Sequence, residues 1–443
     1  MPQHIVIIGN GISGITCARN IRKQSNVPIT VISSETEHFY SRTALMYIYM
    51  GHMKYEHTKP YEDWFWEKNQ IKLVKDHVTF IDTNTKKILL QSNAAIPFEK
   101  LVIATGSISN MPHLPGIELT GVQSLYGIPD LERMNENTKG IQRGVIIGGG
   151  LIGIEMAEML LSRNIQVSFL VREAAYWQNI LPTEEAQLVS KHIRQHHVDL
   201  KTETQLKEIR GDSKGRVKSV ITDKDQEIEC GFVGLTIGVS PNISVCRNTP
   251  IQTDRGILVN EAFETNVDGI YAIGDCVQHT NPPPGRKPVE QIWYSGRIQG
   301  ETLAATLCGK RTAYNPGTFF NSAKFFDIEY QTYGTVNARH GEHEKSFYWE
   351  HEKGRICLRI VYHKTDETII GFNALGMRLR HAICDQWLQQ KKSIDEVMEN
   401  LAQLNFDAEF SDRYEKSILA LYNQQTGKRI TPKRKRRFAF INR

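Results

Sequence analysis

A chain of 443 residues with 40% hydrophobic and 23% charged residues is long enough for about three globular domains, and none of its apolar runs approaches the ~18 residues of a membrane span. Its net charge of +5 is concentrated at the end: residues 428–443 carry eight Lys or Arg and no acid, so everything before them sums to −3. Seven cysteines without a CxxC pair argue against a zinc ribbon or a disulfide framework and suit a reducing compartment.

The first strand is expected to start at His4, which leaves no room for a targeting peptide and favours the cytoplasm. Four apolar residues in a row read as a buried parallel strand, and Gly9, Gly11 and Gly14 follow with the GxGxxG spacing of a dinucleotide-binding turn. The helix after such a turn aims its N-terminus at a pyrophosphate. Alone the triplet is weak, because glycine-rich turns also serve plain packing. A second run, Ile29 to Ile32, ends near Glu35, about 20 residues past the glycines, where an acid would bind a ribose hydroxyl. The loop from Glu37 to Leu45 enters a helical stretch through Tyr49, and its Arg42 is either a pyrophosphate clamp or a solvated loop arginine. Trp64, Phe65 and Trp66 read as a packing cluster. Ile71 to Val74, His77 to Ile81 and Lys87 to Leu90 read as a small meander, leading to a buried strand from Lys100 that ends in a turn at Ala104, Thr105 and Gly106. Pro112, Pro115 and Gly116 mark a plausible exit from this domain.

The opening pattern returns 139 residues on, with Val145 to Ile147, then Gly148, Gly150 and Gly153. Two such loops imply two dinucleotides. The second strand of this repeat, Gln166 to Val171, has no acid at its end, and Arg172 there can accommodate a 2′-phosphate; Glu173 next door keeps a merely exposed arginine in play. His192, His196 and His197 include one i, i+4 pair, formally metal-ligand spacing, but no carboxylate or cysteine nearby completes a set. They are expected to form a solvated helix face, and no metal site is expected. Strands from Val217 and Phe232 close the domain, and the chain returns through Leu235 to Asn242. The stretch Thr265 to Asp275 reads as a strand delivering a carboxylate to the C-terminal edge of a parallel sheet, with a helix-capping aspartate as the alternative. Glu290 to Leu307 reads as a helix with Gly296 and Gly300 on one side. From Tyr314 the texture changes to five short aromatic-rich strands, Thr318 to Phe326, Glu329 to Gly334, Phe347 to Trp349, Ile356 to Tyr362 and Thr368 to Asn373, closed by helices to about residue 424.

In this order the motifs are specific. Two GxGxxG loops, LVIATG at 101–106, TNVDGIYAIGD at 265–275 and EQIWYSGRIQG at 290–300 resemble the FAD-dependent pyridine nucleotide-disulfide oxidoreductases, in the branch of rubredoxin and ferredoxin reductases, nitrite reductase flavin subunits and apoptosis-inducing factor. The resemblance covers residues 1 to about 376. It implies an α/β fold with two Rossmann-like dinucleotide-binding domains, one for FAD (1–110 and 236–312) and one for NAD(P)H (111–235). A C-terminal α+β interface domain (313–425) and a basic tail (426–443) complete the chain. It also implies that Gly9, Gly11 and Gly14 hold the FAD pyrophosphate, Glu35 the adenosine ribose, Arg42 the pyrophosphate and Asp275 the ribitol chain. The helix from Trp293 would favour negative charge at the flavin pyrimidine. Gly148, Gly150 and Gly153 would hold the nicotinamide dinucleotide, with Glu155 as the catalytic residue near the nicotinamide and flavin N5. Ser13, Ala104, Thr105, Gly106, Ile152, Gly238 and Gly274 complete the expected cofactor-binding set.

Three departures from the family pattern stand out. Ser33 occupies the place where the ribose acid often abuts the strand, two residues before Glu35. Tyr47 occupies the place of a lysine that pairs, in several relatives, with the acid corresponding to Glu155. No cysteine lies between Glu35 and His57, which excludes a glutathione reductase analogue. The expected function is therefore an enzyme that passes electrons from NAD(P)H through FAD to a small iron-sulfur or rubredoxin-like protein, with Arg172 favouring NADPH. Within enzymes the alternatives are an NADH oxidase or the flavin subunit of a nitrite reductase system. Outside them the alternative is a redox-dependent flavoprotein switch. Nucleic acid is not the expected partner, although the tail charges would attract it, and a homodimer is compatible with the pattern.

Overall fold

The computed structural model describes residues 4–407 and 409–433. They form two compact units. The first holds the chain up to Arg172 together with His197–Gly317; the second holds Glu173–His196 and the chain from Thr318.

The first unit is built on two parallel sheets. In one, the strands run in the order Ile270–Ala272, Lys100–Ile103, Ile5–Ile8, Ile29–Ser33, Ile71–Lys75. The central strand is wholly buried, as its unbroken apolar run demands. Numbered along the chain this is the order 3-2-1-4-5 of a Rossmann sheet, whose ligands bind beyond the carboxyl ends of the strands. The expected meander is smaller than its sequence signal: Ile71–Lys75 pairs in parallel with Ile29–Ser33, and the antiparallel meander consists of Val78–Asp82, Lys87–Leu90 and Ala95–Pro97. A short apolar run cannot tell its partner by periodicity alone. Trp66 is buried, and Phe65 stacks on Tyr61 at 4.7 Å, whereas Trp64 stays exposed with Lys68 over its ring.

The second sheet repeats the design in the order Asp199–Lys201, Gln166–Leu170, Arg143–Ile147, Phe232–Leu235, Val122–Gln123, again all parallel. An antiparallel layer of Leu206–Gly211, Val217–Thr222 and Glu227–Glu229 packs on it through Ile209, Val217, Val220 and Ile228.

The second unit contains a five-stranded antiparallel sheet in the order Phe320–Phe325, Ile328–Gly334, Ile369–Leu375, Cys357–His363, Glu344–Glu350. Its apolar face packs on the helices His381–Gln389, Ile394–Glu399 and Glu415–Thr426 through Phe347, Trp349, Phe372, Trp387 and Tyr422. The helix Thr183–Gln195 also belongs to this unit. Arg359, 2% exposed, clamps the fully buried Glu185 with two hydrogen bonds of 2.7 and 2.8 Å and donates a third, of 2.7 Å, to Glu184.

Candidate functional site

The first glycine turn closes because two backbone oxygens come too near for side chains at its first and third glycines. Gly9 has φ +112°, and a Cβ on it would lie 2.1 Å from the Ala104 carbonyl oxygen; one on Gly14 would lie 2.1 Å from the Gly9 oxygen. Gly11, by contrast, faces nothing within 4 Å. A turn locked at its first and third glycines and open at its second is a cradle for a pyrophosphate at the start of the helix Ile12–Arg22. The same geometry recurs in the second sheet. Gly148 has φ +107° and sits against the Thr236 oxygen, Gly153 is pressed by Phe169 and Thr236, and Gly150 opens outward at the start of Leu151–Leu161. Ile152 and Glu155 both lie on that helix and are partly exposed. Arg172 is exposed two residues past the strand Gln166–Leu170, next to the buried Val171. Gly238, with φ +97°, is exposed beyond the strand Phe232–Leu235.

Around the first cradle the polar groups are already organised. Arg42 donates to both oxygens of Glu35, at 3.2 and 2.6 Å, and to the Tyr126 carbonyl at 2.6 Å. Glu35 also accepts from the Tyr40 hydroxyl at 2.5 Å and from the Ile128 backbone N–H at 2.9 Å. Burial works against the Glu35 carboxylate, but Arg42 and Tyr40 outweigh it and hold its pKa below the ordinary range. Glu35 and Arg42 thus form one ion-paired unit instead of two separate contacts, and Arg42 is no solvated loop residue.

That unit is completed by residues the motifs did not mark. Tyr126, Gly127 and Ile128 begin the helix Ile128–Asn137, and a Cβ on Gly127 would lie 2.4 Å from Glu35 Oε1 and 3.0 Å from Arg42. The Tyr126 hydroxyl accepts from the Ser107 N–H at 2.9 Å, and the Tyr126 ring lies against the Arg42 guanidinium. A glycine flanked by Tyr and Ile before a Pro-started helix was the available signal, but nothing local says which pair it must clear.

Asp275 lies in the short turn Gly274–Cys276 at the end of Ile270–Ala272. It caps no helix. Gln291 donates to Ser107 Oγ at 2.8 Å, and Ser107 donates to Asp275 Oδ2 at 3.2 Å, so the carboxylate is held by a short relay. Burial pushes Asp275 up to about 6, with Ser107 and Arg42 pulling the other way. The following helix runs over Trp293–Leu307, three residues later than the expected start at Glu290. Glu290, ahead of the helix, is instead taken by Arg286, at 2.7 and 2.9 Å, and accepts from Ser295 Oγ at 2.9 Å. This helix crosses Ile12–Arg22 at its two glycines. A Cβ on Gly296 would meet Ser13 Oγ at 2.6 Å, and one on Gly300 the Ser13 carbonyl oxygen at 2.6 Å. Ser13 is thus a packing point as well as a cradle residue, and Gln299 accepts from the Gly274 N–H at 2.6 Å. Thr105 Oγ1 donates to the Asn242 carbonyl at 2.6 Å, and Gly106 turns beneath the Tyr126 hydroxyl.

All seven cysteines are free. Cys276 is fully buried beside Asp275, and burial pushes its thiol up to about 11.

The three histidines do not form the solvated face expected of them. His192 is 2% exposed, His196 is partly exposed as the helix cap, and His197 lies beyond it with φ +61°. A carboxylate does complete a set: Asp327, from the turn between Phe320–Phe325 and Ile328–Gly334, reaches His192 and His196. A residue 131 positions away is invisible to helical spacing.

Two locked-and-open glycine cradles at the carboxyl ends of two parallel sheets define a protein that holds two dinucleotides. Residues 3–299 match the family described as pyridine nucleotide-disulphide oxidoreductase, and the chain belongs to that family. It is 25% identical over 437 residues to the nitrite reductase [NAD(P)H] of Bacillus subtilis (strain 168), covering 97% of this chain; the chain spans 50% of that relative's length. It is 27% identical over 400 residues to the NADH-rubredoxin oxidoreductase of Clostridium acetobutylicum, covering 90% of this chain and 99% of the relative. An NAD-dependent persulfide reductase from A. fulgidus shares the fold at TM-score 0.83, with 24% identity over 96% of this chain and 84% of that one. The two cradles fit the dinucleotides the family implies, FAD and NAD(P)H. No helix among the described residues is long and apolar enough to cross a membrane.

Proposed function

We propose that this chain accepts a hydride from NAD(P)H and delivers electrons singly to a small redox protein of the rubredoxin or ferredoxin type. The observation that carries the reading is the pair of cradles in one unit, together with a Glu35–His57 segment that contains no cysteine. FAD, when bound, supplies the conversion between two-electron and one-electron chemistry. The protein's part is to bind and orient. Gly11 and the helix behind it receive the pyrophosphate, the Glu35–Arg42 pair sets the adenosine end, and the Gln291–Ser107–Asp275 relay presents a carboxylate to the ribitol hydroxyls. The helix dipole at Trp293 favours negative charge where the pyrimidine would lie. Gly148, Gly150, Gly153, Ile152 and Gly238 frame the nicotinamide nucleotide, and Glu155 borders its reactive end. Arg172, at the place of a ribose-selecting acid, supports a preference for NADPH.

The test is anaerobic flavin reduction by NADH and NADPH, followed by mixing with rubredoxin, ferredoxin or oxygen. Reduction followed by faster reoxidation with a protein carrier than with oxygen supports the reading. Fast reoxidation by oxygen alone identifies an oxidase, and a long-lived reduced complex a switch. For Arg172→Ala, an unchanged ratio of NADPH to NADH reduction rates makes the arginine a bystander. A second reading, electron supply to a nitrite reductase centre, draws support from a match to the Bacillus nitrite reductase that runs through the C-terminal unit as well.

A further inference from the structure

We propose that His192, His196 and Asp327 form a mononuclear site for a borderline divalent transition metal, Zn²⁺ being the natural probe, within the unit that contains the C-terminal sheet.

The two histidines lie one helical turn apart, so their rings fall on one face of Thr183–Gln195 and its cap, with centroids 4.6 Å apart and planes at 78°. Asp327 Oδ1 lies 2.6 Å from His192 Nε2 and 3.2 Å from His196 Nε2. One ligand atom from each of the three residues therefore falls within 4.8 Å of the other two. Ligands at zinc distances of about 2.0 to 2.1 Å in a tetrahedron stand roughly 3.3 Å apart, so these side chains need shift little to share an ion.

A second observation comes from His192 itself. It is buried, and neither of its ring nitrogens makes a hydrogen bond, although the Asp327 oxygen is so near. A carboxylate oxygen that is close to Nε2 but off the hydrogen-bond direction is placed to share an ion with it, not a proton. Leaving the buried Nε2 without a well-directed hydrogen bond costs about 1 to 3 kcal/mol, a cost an ion shared with Asp327 would offset.

The surroundings fix the three ligands. Arg355 donates to Asp327 Oδ2, which holds the carboxylate from its far side and leaves Oδ1 for the ion, in the way of outer partners in known metal sites. Phe326 stacks on the His196 ring at 4.2 Å and 7°, setting its plane. Partial exposure of His196 and Asp327 gives an entry path and leaves the fourth position to water. Two imidazoles and one carboxylate suit Zn²⁺ better than Ca²⁺ or Mg²⁺, which prefer all-oxygen shells. The ion would tie the helix to the sheet hairpin, a structural role apart from the dinucleotide cradles.

The experiment titrates ZnCl₂ into the flavin-loaded full chain, first stripped with chelator, against a chromophoric competitor; Co²⁺ is added in parallel to read tetrahedral ligand-field bands. One equivalent should bind to the parent. His196→Ala and Asp327→Asn should each weaken binding at least tenfold and abolish the cobalt spectrum, with circular dichroism and flavin absorbance unchanged. Should one variant fail to fold, the other decides. The proposal is overturned if the parent binds no stoichiometric zinc, or if the folded variants bind within tenfold of it.

Discussion

Asp275 carries the sharpest contrast between stability and binding. Its raised pKa means that the folded chain keeps a proton which the unfolded chain has lost between about pH 4 and pH 6, so stability from this group falls as pH rises through that window. Above pH 6 the ionised carboxylate costs the flavin-free protein up to roughly 3 kcal/mol. Asp275→Asn should therefore raise the unfolding midpoint of flavin-free protein at pH 7 and flatten its pH dependence between pH 4 and 6. The same substitution should weaken FAD retention, because a carboxylate acceptor for hydroxyls is lost. Equal FAD affinity in parent and variant, measured by flavin release on dilution, would remove Asp275 from the binding site. Gly127 supplies a second residue-scale case. Its added Cβ would strike the Glu35–Arg42 pair, whose side-chain ends can yield, so Gly127→Ala should fold with a penalty of about 1 to 3 kcal/mol and lose FAD affinity. An unaltered affinity would show that the pair has no part in holding the adenosine end.

Elements are held by contacts that the chain does not advertise locally. The helix Thr183–Gln195 is fixed to the antiparallel sheet by Arg359 on Glu185, both buried. Removing one member of such a pair leaves an uncompensated charge, costing about 3 to 5 kcal/mol. Arg359→Met strands the buried Glu185 and should lower stability by that amount in denaturant unfolding, whereas Glu185→Ala leaves Arg359 paired with Glu184 and should cost less; adding Glu185→Leu to Arg359→Met should recover much of the loss. A loss below about 1 kcal/mol for Arg359→Met would mean water reaches the Glu185 carboxylate. The contrast explains what was legible. Parallel strands and glycine turns are local patterns, so the apolar runs Ile5–Ile8 and Val145–Ile147 and both glycine turns could be read from spacing, and the five C-terminal strands from their aromatic-rich texture. Partners distant in the chain could not: Ile71–Lys75 joined the wrong sheet on paper, Glu290 was drawn into a helix that starts after it, its carboxylate being taken by Arg286, and Asp327 came to the histidines unannounced. Tyr126 and Gly127 were missed for the same reason, since their value lies in what they face across the fold.

At the scale of the whole molecule, the basic run at the end of the chain divides in two. Lys428 is docked, donating to Glu367 at 2.9 Å and to both oxygens of Asp395, while Asn423 holds the Ile430 backbone, and Lys433 pairs with Glu399 at 2.8 Å. Arg434, Lys435, Arg436 and Arg437 lie outside the described residues. Truncation after Gly427 would therefore remove ion pairs along with any recruiting charge, and truncation after Lys433 is the cleaner test of electrostatic steering. Four adjacent cations raise association rates with an acidic carrier only while salt does not screen them, over a Debye length of about 10 Å at 0.1 M. Chains ending at Lys433 should match the parent in flavin reduction by NAD(P)H, yet deliver electrons more slowly to an acidic carrier at low salt, with a shallower dependence on ionic strength. Nucleic acid would answer to the same charges, so its binding to the two forms is measured alongside. Identical carrier kinetics and salt slopes would show that these residues do not dock the acceptor, and a difference confined to nucleic-acid binding would assign their charge to that polymer instead.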